Sequence, residues 1–185
     1  MATAPMPTVI VLASGQGERF VASGGKGNKL QALLGGKPVL EHTLDAVRAS
    51  GLPWHLEDAG HPGMGDSIAC AVRATADANG WLILPADLPL IAPQTLLALA
   101  QGLGVYEAAA PVFEGRRGHP VHFGASSGAK LMSLEGNRGG AGVLASLFAI
   151  ELIVNDVGCV TDIDTLTDLH AAEQLLAARQ QAWPH

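Results

Sequence analysis

The chain switches repeatedly between two hydrophobic periods. Residues 7–13, "PTVIVLA", are a continuous apolar run that gives way to glycine at position 15, the pattern of a strand covered on both faces in a parallel sheet. In "PVLEHTLDAVRAS" (38–50), Val39, Leu40, Leu44 and Val47 recur at helical spacing, and Gly51 marks the stop. "LPWHLE" (52–57) reads as a short strand. "DSIACAVRATADAN" (66–79) reads as a helix with Asp66 as N-cap, with Ile68, Cys70, Ala71 and Val72 toward one side and Asn79-Gly80 as its end. "WLILPAD" (81–87) is a second buried strand, and "PQTLLALAQ" (93–101) a helix with Pro93 in its first turn. "AAAPVFEGRRGHPVHFG" (108–124) predicts two strands joined by a Gly-Arg-Arg-Gly turn, a hairpin at the sheet edge. Two short helices (129–136 and 140–148), a strand "ELIVND" (151–156) and a closing helix (166–181) complete the pattern, with an Ala/Gln-rich tail that reads as its frayed end. This order predicts the α/β class: an open, mostly parallel, Rossmann-like sheet with helices on both faces and an edge hairpin, in a single domain spanning 1–185 without internal repeats.

Composition narrows the classes of partner. The 185 residues are 48% hydrophobic and carry a net charge of -6, with the 11 basic residues scattered, which suits a soluble globular protein and argues against nucleic acid or an anionic membrane as a partner. The longest apolar run, "WLILPADLPLIAP", is interrupted by Pro85, Asp87 and Pro89 and is no membrane span. The stretch "MATAPMPT" has no charged n-region, so no signal peptide is expected. Cys70 and Cys159, far apart and in apolar contexts, read as reduced core thiols of a cytoplasmic protein rather than a disulfide or metal pair.

Chemistry enters with the loop after the first strand, "LASGQGERF" (12–20). A dinucleotide-binding fingerprint wants a third glycine where Phe20 stands, and the glycine- and lysine-rich continuation "FVASGGKGNK" lacks the spacing of a P-loop. What remains is a glycine loop whose backbone N–H groups can curl around phosphates, with Arg19 and a later lysine adding charge-assisted contacts; a plain strand-to-helix turn is the bland alternative.

"LASGQGERF" followed by "NKLQALLGGKPVLEHTLDAV" resembles the opening signature of the nucleotidyltransferases of the pyrophosphorylase-like GT-A fold. "GMGDSIACAV", "LILPADLPLI", "APVFEGRRGHPVHFG", "LEGNRGGAGVL" and "DIDTLTDL", in that order, resemble the MobA/MocA-like molybdenum cofactor enzymes, with the cytidylyl branch favoured. The resemblance implies transfer of a nucleotide, CMP in preference to GMP, from an NTP (CTP or GTP) to a molybdopterin-type acceptor with release of pyrophosphate. It further implies Mg²⁺ as cofactor and a recipient molybdoenzyme or its chaperone as partner. Carried residue by residue, it assigns the nucleotide cradle to Leu12, Ala13, Ser14, Gly15 and Gly17, the β- and γ-phosphates to Arg19, and the α-phosphate to Lys29, with Lys26 as the alternative in a lengthened loop. Gly65 and Ser67 would read the base, glycine letting main chain approach a flat ring. Asp87 and Asp164 would hold the metal, Asp162 being the second choice, and Arg116, Arg117 and His119 would grip the pterin or its phosphate. Asn137, Arg138 and Gly139 form either a second phosphate loop or a helix-linking turn. Two departures stand out: only one strand lies between the first long helix and the base loop, where the family has an extra β-α unit, and the "LASG" tetrad fits neither strict cytidine nor strict guanine use.

Other readings make distinct demands. His119 and His122, spaced H-P-V-H in a strand, do not share a face and are no zinc pair. "GASSG" (124–128) matches the G-x-S-x-G elbow of serine hydrolases around Ser126, but Asp168 and His170 lie two apart in a helix and point in different directions. A non-catalytic nucleotide-binding protein on the same fold would have no need of two metal carboxylates.

Overall fold

In the computed structural model of the chain, residues 6–15, 17–103 and 106–182 are described. The signal-peptide reading at 1–5, Gln16 of the glycine loop, and the end of the tail beyond 182 fall outside them. The elements run β1 (Thr8–Leu12), α1 (Glu18–Ala22), β2 (Leu33–Leu34), β3 (Lys37–Pro38), α2 (Val39–Ser50), β4 (Trp54–Glu57), α3 (Met64–Ala74), β5 (Trp81–Pro85), α4 (Pro93–Gln101), β6 (Ala108–Phe113), β7 (Arg116–Arg117), β8 (Val121–Phe123), α5 (Gly128–Met132), α6 (Ala141–Ala145), β9 (Ala149–Ile153) and α7 (Leu166–Ala182).

β1 lies between β4 and β5, parallel to both, and β6 and β9 are parallel to each other. β8 is inserted antiparallel between β5 and β6, so the seven-stranded sheet is mixed at its centre. The predicted hairpin ends the path, with its return arm split: β7 pairs with the far half of β6 and β8 with the near half, both on the edge opposite β9. Pleat alternation between two covered faces explains why the central strands β1 and β5 are apolar almost throughout. Val9, Val11, Leu82, Leu84 and Ala109 face one core with Leu44 and Val47 of α2, Leu96 and Leu99 of α4 and Leu169 of α7. Ile10, Trp81, Ile83, Ala108 and Phe123 face the other, with Ile68 and Val72 of α3, Leu131 of α5 and Leu144 of α6. A strand with helices on both sides has no polar face to present.

Several boundaries move, each for a local reason. α3 begins at Met64, two residues before the expected cap; Asp66 instead sits in the first turn and its carboxylate accepts from the Gly136 N–H at 3.0 Å. Cys159 is fully buried, but Cys70 lies outside both cores, half-exposed beside Glu57, because α3 turns that side toward the end of β4. α1 and the β2–β3 hairpin escape hydrophobic periodicity, being five and two residues long. α1 is anchored by Phe20, 1% exposed, whose burial is worth about 2 kcal/mol. Among the described residues no helix is long and apolar enough to cross a membrane.

Candidate functional site

A cleft of about 800 Å³ opens beyond the C-terminal ends of β1 and β5, where parallel α/β sheets place ligands. It brings together Leu12, Ser14, Gly15, Gly17, Arg19, Lys29, Ser67, Asp87, Arg116, Arg117, His119 and Asp164 from across the chain. Ala13 and Gly65 do not line it, Asn137 and Asp162 do, and Lys26 is an exposed residue outside it. Gly17 takes φ +68° at the start of α1, a left-handed conformation that glycine adopts without strain. This turn brings the first helix against Lys29, whose side chain lies 3.5 Å from where a Cβ on Gly17 would be.

The centre of the cleft is a charge cluster. Asp87 lies two residues past β5, in a segment tied down by the Ala86 N–H to Leu12 carbonyl bond and by the buried Thr43 hydroxyl donating to the Ala86 carbonyl. The Asp87 carbonyl in turn accepts the Ile163 N–H at 3.0 Å, which delivers Asp164 to the same place. Lys29, held in a short 3-10 turn that Asn28 caps, donates its Nζ to Asp87 Oδ2 at 2.6 Å and to Asp164 Oδ1 at 2.8 Å. Arg19, largely exposed, closes on Asp164 Oδ2 at 2.8 Å. Burial alone would lower the Lys29 ammonium, but the Asp87 charge and the hydrogen bonds to both carboxylates outweigh it and hold its pKa up. Burial, with Asp162 and Asp164 nearby, raises the Asp87 carboxyl above its ordinary value even though Lys29 pulls the other way. Asp87 Oδ1 is buried and without a hydrogen-bond partner. An orphaned carboxylate oxygen beside a second carboxylate, with an ammonium wedged between them, is a donor set suited to a hard divalent cation.

On one flank, the Ser14 and Ser67 hydroxyls are 2.7 Å apart, with Ser67 almost fully buried. Gly63 and Gly65 permit a close backbone approach, but to protein: a Cβ on Gly63 would lie 2.2 Å from the Gly136 carbonyl oxygen, and one on Gly65 2.6 Å from that of Arg138. The segment around Asn137 is thereby fixed as a cleft wall. Sequence reading missed Glu57 and His61. Glu57, buried at the end of β4, accepts from the Ala59 N–H and faces His61 Nε2 at 3.0 Å and His55 Nε2 at 3.5 Å. His61 lines the cleft, and its signal was available in "GHPGMG", directly before the α3 turn.

On the other flank, the split return arm presents Arg116, Arg117 and His119. Arg116 donates to the Val160 carbonyl at 3.2 Å, Arg117 pairs with Glu151 at 2.7 Å, and the His119 N–H bonds the Cys159 carbonyl. His122 is buried and faces the Leu99 carbonyl, so it does not converge with His119. Burial pushes the Cys159 thiol up to about 11, with Asp156 adding to the effect, so it is no thiolate nucleophile at neutral pH. Ser126 lies in a surface 3-10 turn outside the cleft, His170 is exposed on α7, and the Asp168 carboxylate is spent capping α7 through Thr165 and the Asp164 N–H. The hydrolase arrangement is not assembled.

Comparison with known proteins agrees with this architecture. Rv0371c from Mycobacterium tuberculosis H37Rv superposes with a TM-score of 0.78 at 22% identity, covering 93% of this chain and 99% of that one. A manganese complex of Rv0371c superposes at 0.71 and 20% identity, covering 90% and 97%. Molybdopterin-guanine dinucleotide biosynthesis protein A from Archaeoglobus fulgidus superposes at 0.65 and 18% identity, covering 92% and 99%. At these identities the shared property is the fold. In sequence, the bifunctional protein GlmU of Coxiella burnetii is 34% identical over 131 residues, covering 56% of this chain; the chain spans 28% of that relative's length. Residues 45–151, from α2 through β9, match the family model of the MobA-like NTP transferase domain. With more than half its length so matched, on a sheet of the same architecture, the chain belongs to the MobA-like NTP transferase domain family.

Proposed function

We propose that this chain transfers a nucleotidyl group, CMP in preference to GMP, from an NTP to the terminal phosphate of a molybdopterin-type acceptor, with Mg²⁺ as cofactor. In that reaction an acceptor phosphate oxygen forms a bond to the α-phosphorus while the bond to the β-phosphate oxygen breaks and pyrophosphate leaves. The observation that carries the reading is the Lys29 ammonium lodged between Asp87 and Asp164 at the mouth of a glycine loop. A cation bound by the two carboxylates would neutralise phosphate charge and polarise the α-phosphate. Lys29, released from its carboxylates, turns to the α-phosphate, and Arg19 swings from Asp164 to the β- and γ-phosphates. The backbone of Ala13, Ser14, Gly15 and Gly17 cradles the triphosphate, and Ser67 with the Gly65 segment supports the base. Arg116, Arg117 and His119 hold the acceptor phosphate for in-line attack.

The manganese complex of Rv0371c supports a divalent cation in this fold, and the molybdopterin-guanine protein supports the acceptor class. The higher identity to proteins named GlmU supports a second reading, transfer to another phosphorylated small molecule. Pyrophosphate release from CTP, GTP, ATP and UTP with Mg²⁺, with and without molybdopterin, tests both. Release that requires molybdopterin and favours one base is the expected result. NTP binding without release under any of these conditions refutes the molybdopterin reading.

A further inference from the structure

Glu57, His61 and Cys70 form a second constellation on the far side of β1 from Asp87. Their candidate ligand atoms, a carboxylate oxygen, an imidazole nitrogen and Sγ, lie within 4.8 Å of one another. Three elements supply them: the end of the edge strand β4, the 58–63 loop, and α3. His55, two residues before Glu57 on β4 and so on the same face of the strand, turns its Nε2 toward the same carboxylate at 3.5 Å.

Burial alone would raise the Glu57 carboxyl, but hydrogen bonds from His61, His55 and the Ala59 N–H hold it below its ordinary value and keep it an anionic ligand. Glu57 is 5% exposed, and its ion-pair partners among the described residues are the two histidines, each charged only when protonated. A buried carboxylate without a fixed cation is costly, and here a thiol is packed against it. One nitrogen, one sulfur and one oxygen ligand, with a second imidazole in reach, suit a borderline-soft ion such as Zn²⁺ rather than Mg²⁺ or Ca²⁺. Tetrahedral zinc with bonds of about 2.1 Å sets its ligands roughly 3.4 Å apart, so the site closes by a contraction of little more than about 1 Å from the 4.8 Å within which the atoms lie.

We propose that Glu57, His61 and Cys70, with His55 or solvent in the fourth position, bind one zinc-class ion that pins the 58–63 loop to β4 and α3. Because His61, Pro62 and Gly63 line the nucleotide cleft, the ion fixes one wall of that cleft. β4 and β5 flank β1, so at ordinary strand spacing the strand that carries Glu57 runs about 10 Å from the one that leads to Asp87.

Cobalt titration of the metal-free full chain tests the proposal, since a cobalt–thiolate bond gives near-ultraviolet charge-transfer absorption that carboxylate ligands do not. The wild type is expected to show this absorption saturating at one ion per chain, and Zn²⁺ should abolish it by displacement. Cys70→Ser should lose it, His61→Ala should bind Co²⁺ at least tenfold more weakly, and the double variant Asp87→Asn/Asp164→Asn should keep it. Absence of the absorption in the wild type, which needs no variant to fold, overturns the proposal. So does its survival in Cys70→Ser, or its loss in the double variant when circular dichroism shows that protein folded.

Discussion

Replacing Lys29 by methionine isolates the charge balance of the cleft. The substitution keeps the length of the side chain but removes an ammonium that is 2.6 Å from Asp87 and 2.8 Å from Asp164. Two hydrogen bonds between charged groups are lost, each worth about 1.5–3 kcal/mol. The carboxylate oxygens they joined, both within 2.8 Å of Nζ, are then at most about 5.5 Å apart, where repulsion at an effective dielectric of 20 is about 3 kcal/mol. The terms overlap, and the loss expected on breaking a buried pair is about 3–5 kcal/mol, or roughly 10 °C in melting temperature for a chain of this size. The sign of the pH dependence follows from Asp87. Its folded carboxyl already lies above 3.8, chiefly through burial, and loses its main opposing influence in the variant. The folded state then holds a proton that the unfolded state releases, so the deficit shrinks as pH falls from neutrality through the raised folded value toward 3.8. Added Mg²⁺ should stabilise the variant more than the wild type, where the Lys29 ammonium already neutralises part of the carboxylate charge. Urea unfolding followed by tryptophan fluorescence, at several pH values with and without Mg²⁺, measures all three effects. Stability within 1 kcal/mol of wild type at pH 7, unchanged by acid, would refute the reasoning.

Asp87→Ala should cut pyrophosphate release by about a thousandfold or more, while Ser126→Ala, at a surface turn outside the cleft, should leave it intact; the reverse pattern would revive the hydrolase reading. Arg116→Ala should raise the KM for the acceptor about tenfold with the KM for the NTP unchanged, which steady-state kinetics in each substrate will separate. Asp156, 5% exposed, accepts from the Ala92 N–H, the Thr95 hydroxyl, the Gly158 N–H and Arg179. Its replacement by alanine should cost about 3–5 kcal/mol in a thermal or urea melt, because several buried donors lose their acceptor at once.

The alternation of periods announced the sheet and its covering helices, because buried strands and amphipathic helices write themselves in hydrophobicity. Helix α4 appears in the structure with the bounds read for it, Pro93–Gln101. The position of β8 was not legible, since nothing in "VHF" distinguishes an edge strand from one slotted antiparallel between β5 and β6. Most of the residues singled out for the cleft do line it, because glycine loops and carboxylates past strand ends have recognisable surroundings. The Lys29 wedge was hidden, since its two partners lie 58 and 135 positions away. Glu57 was hidden for another reason: an edge-strand acid followed by a short loop looks like ordinary surface until α3 packs Cys70 against it, whereas His61 stood in view in "GHPGMG".

The bond from the Ile163 N–H to the Asp87 carbonyl also sets an order of events during synthesis. The glycine loop, Lys29 and Asp87 are translated in the first half of the chain and can pair while the rest is still on the ribosome. Asp164 lies 77 positions after Asp87 and can join them only once β9 and the segment that follows it have been made. A chain translated no further than β9 can pair Lys29 with Asp87 but has no complete pair of cleft carboxylates. A chain made only as far as Asp87 therefore lacks half of the cleft's cation-binding character and is a poor sink for metal.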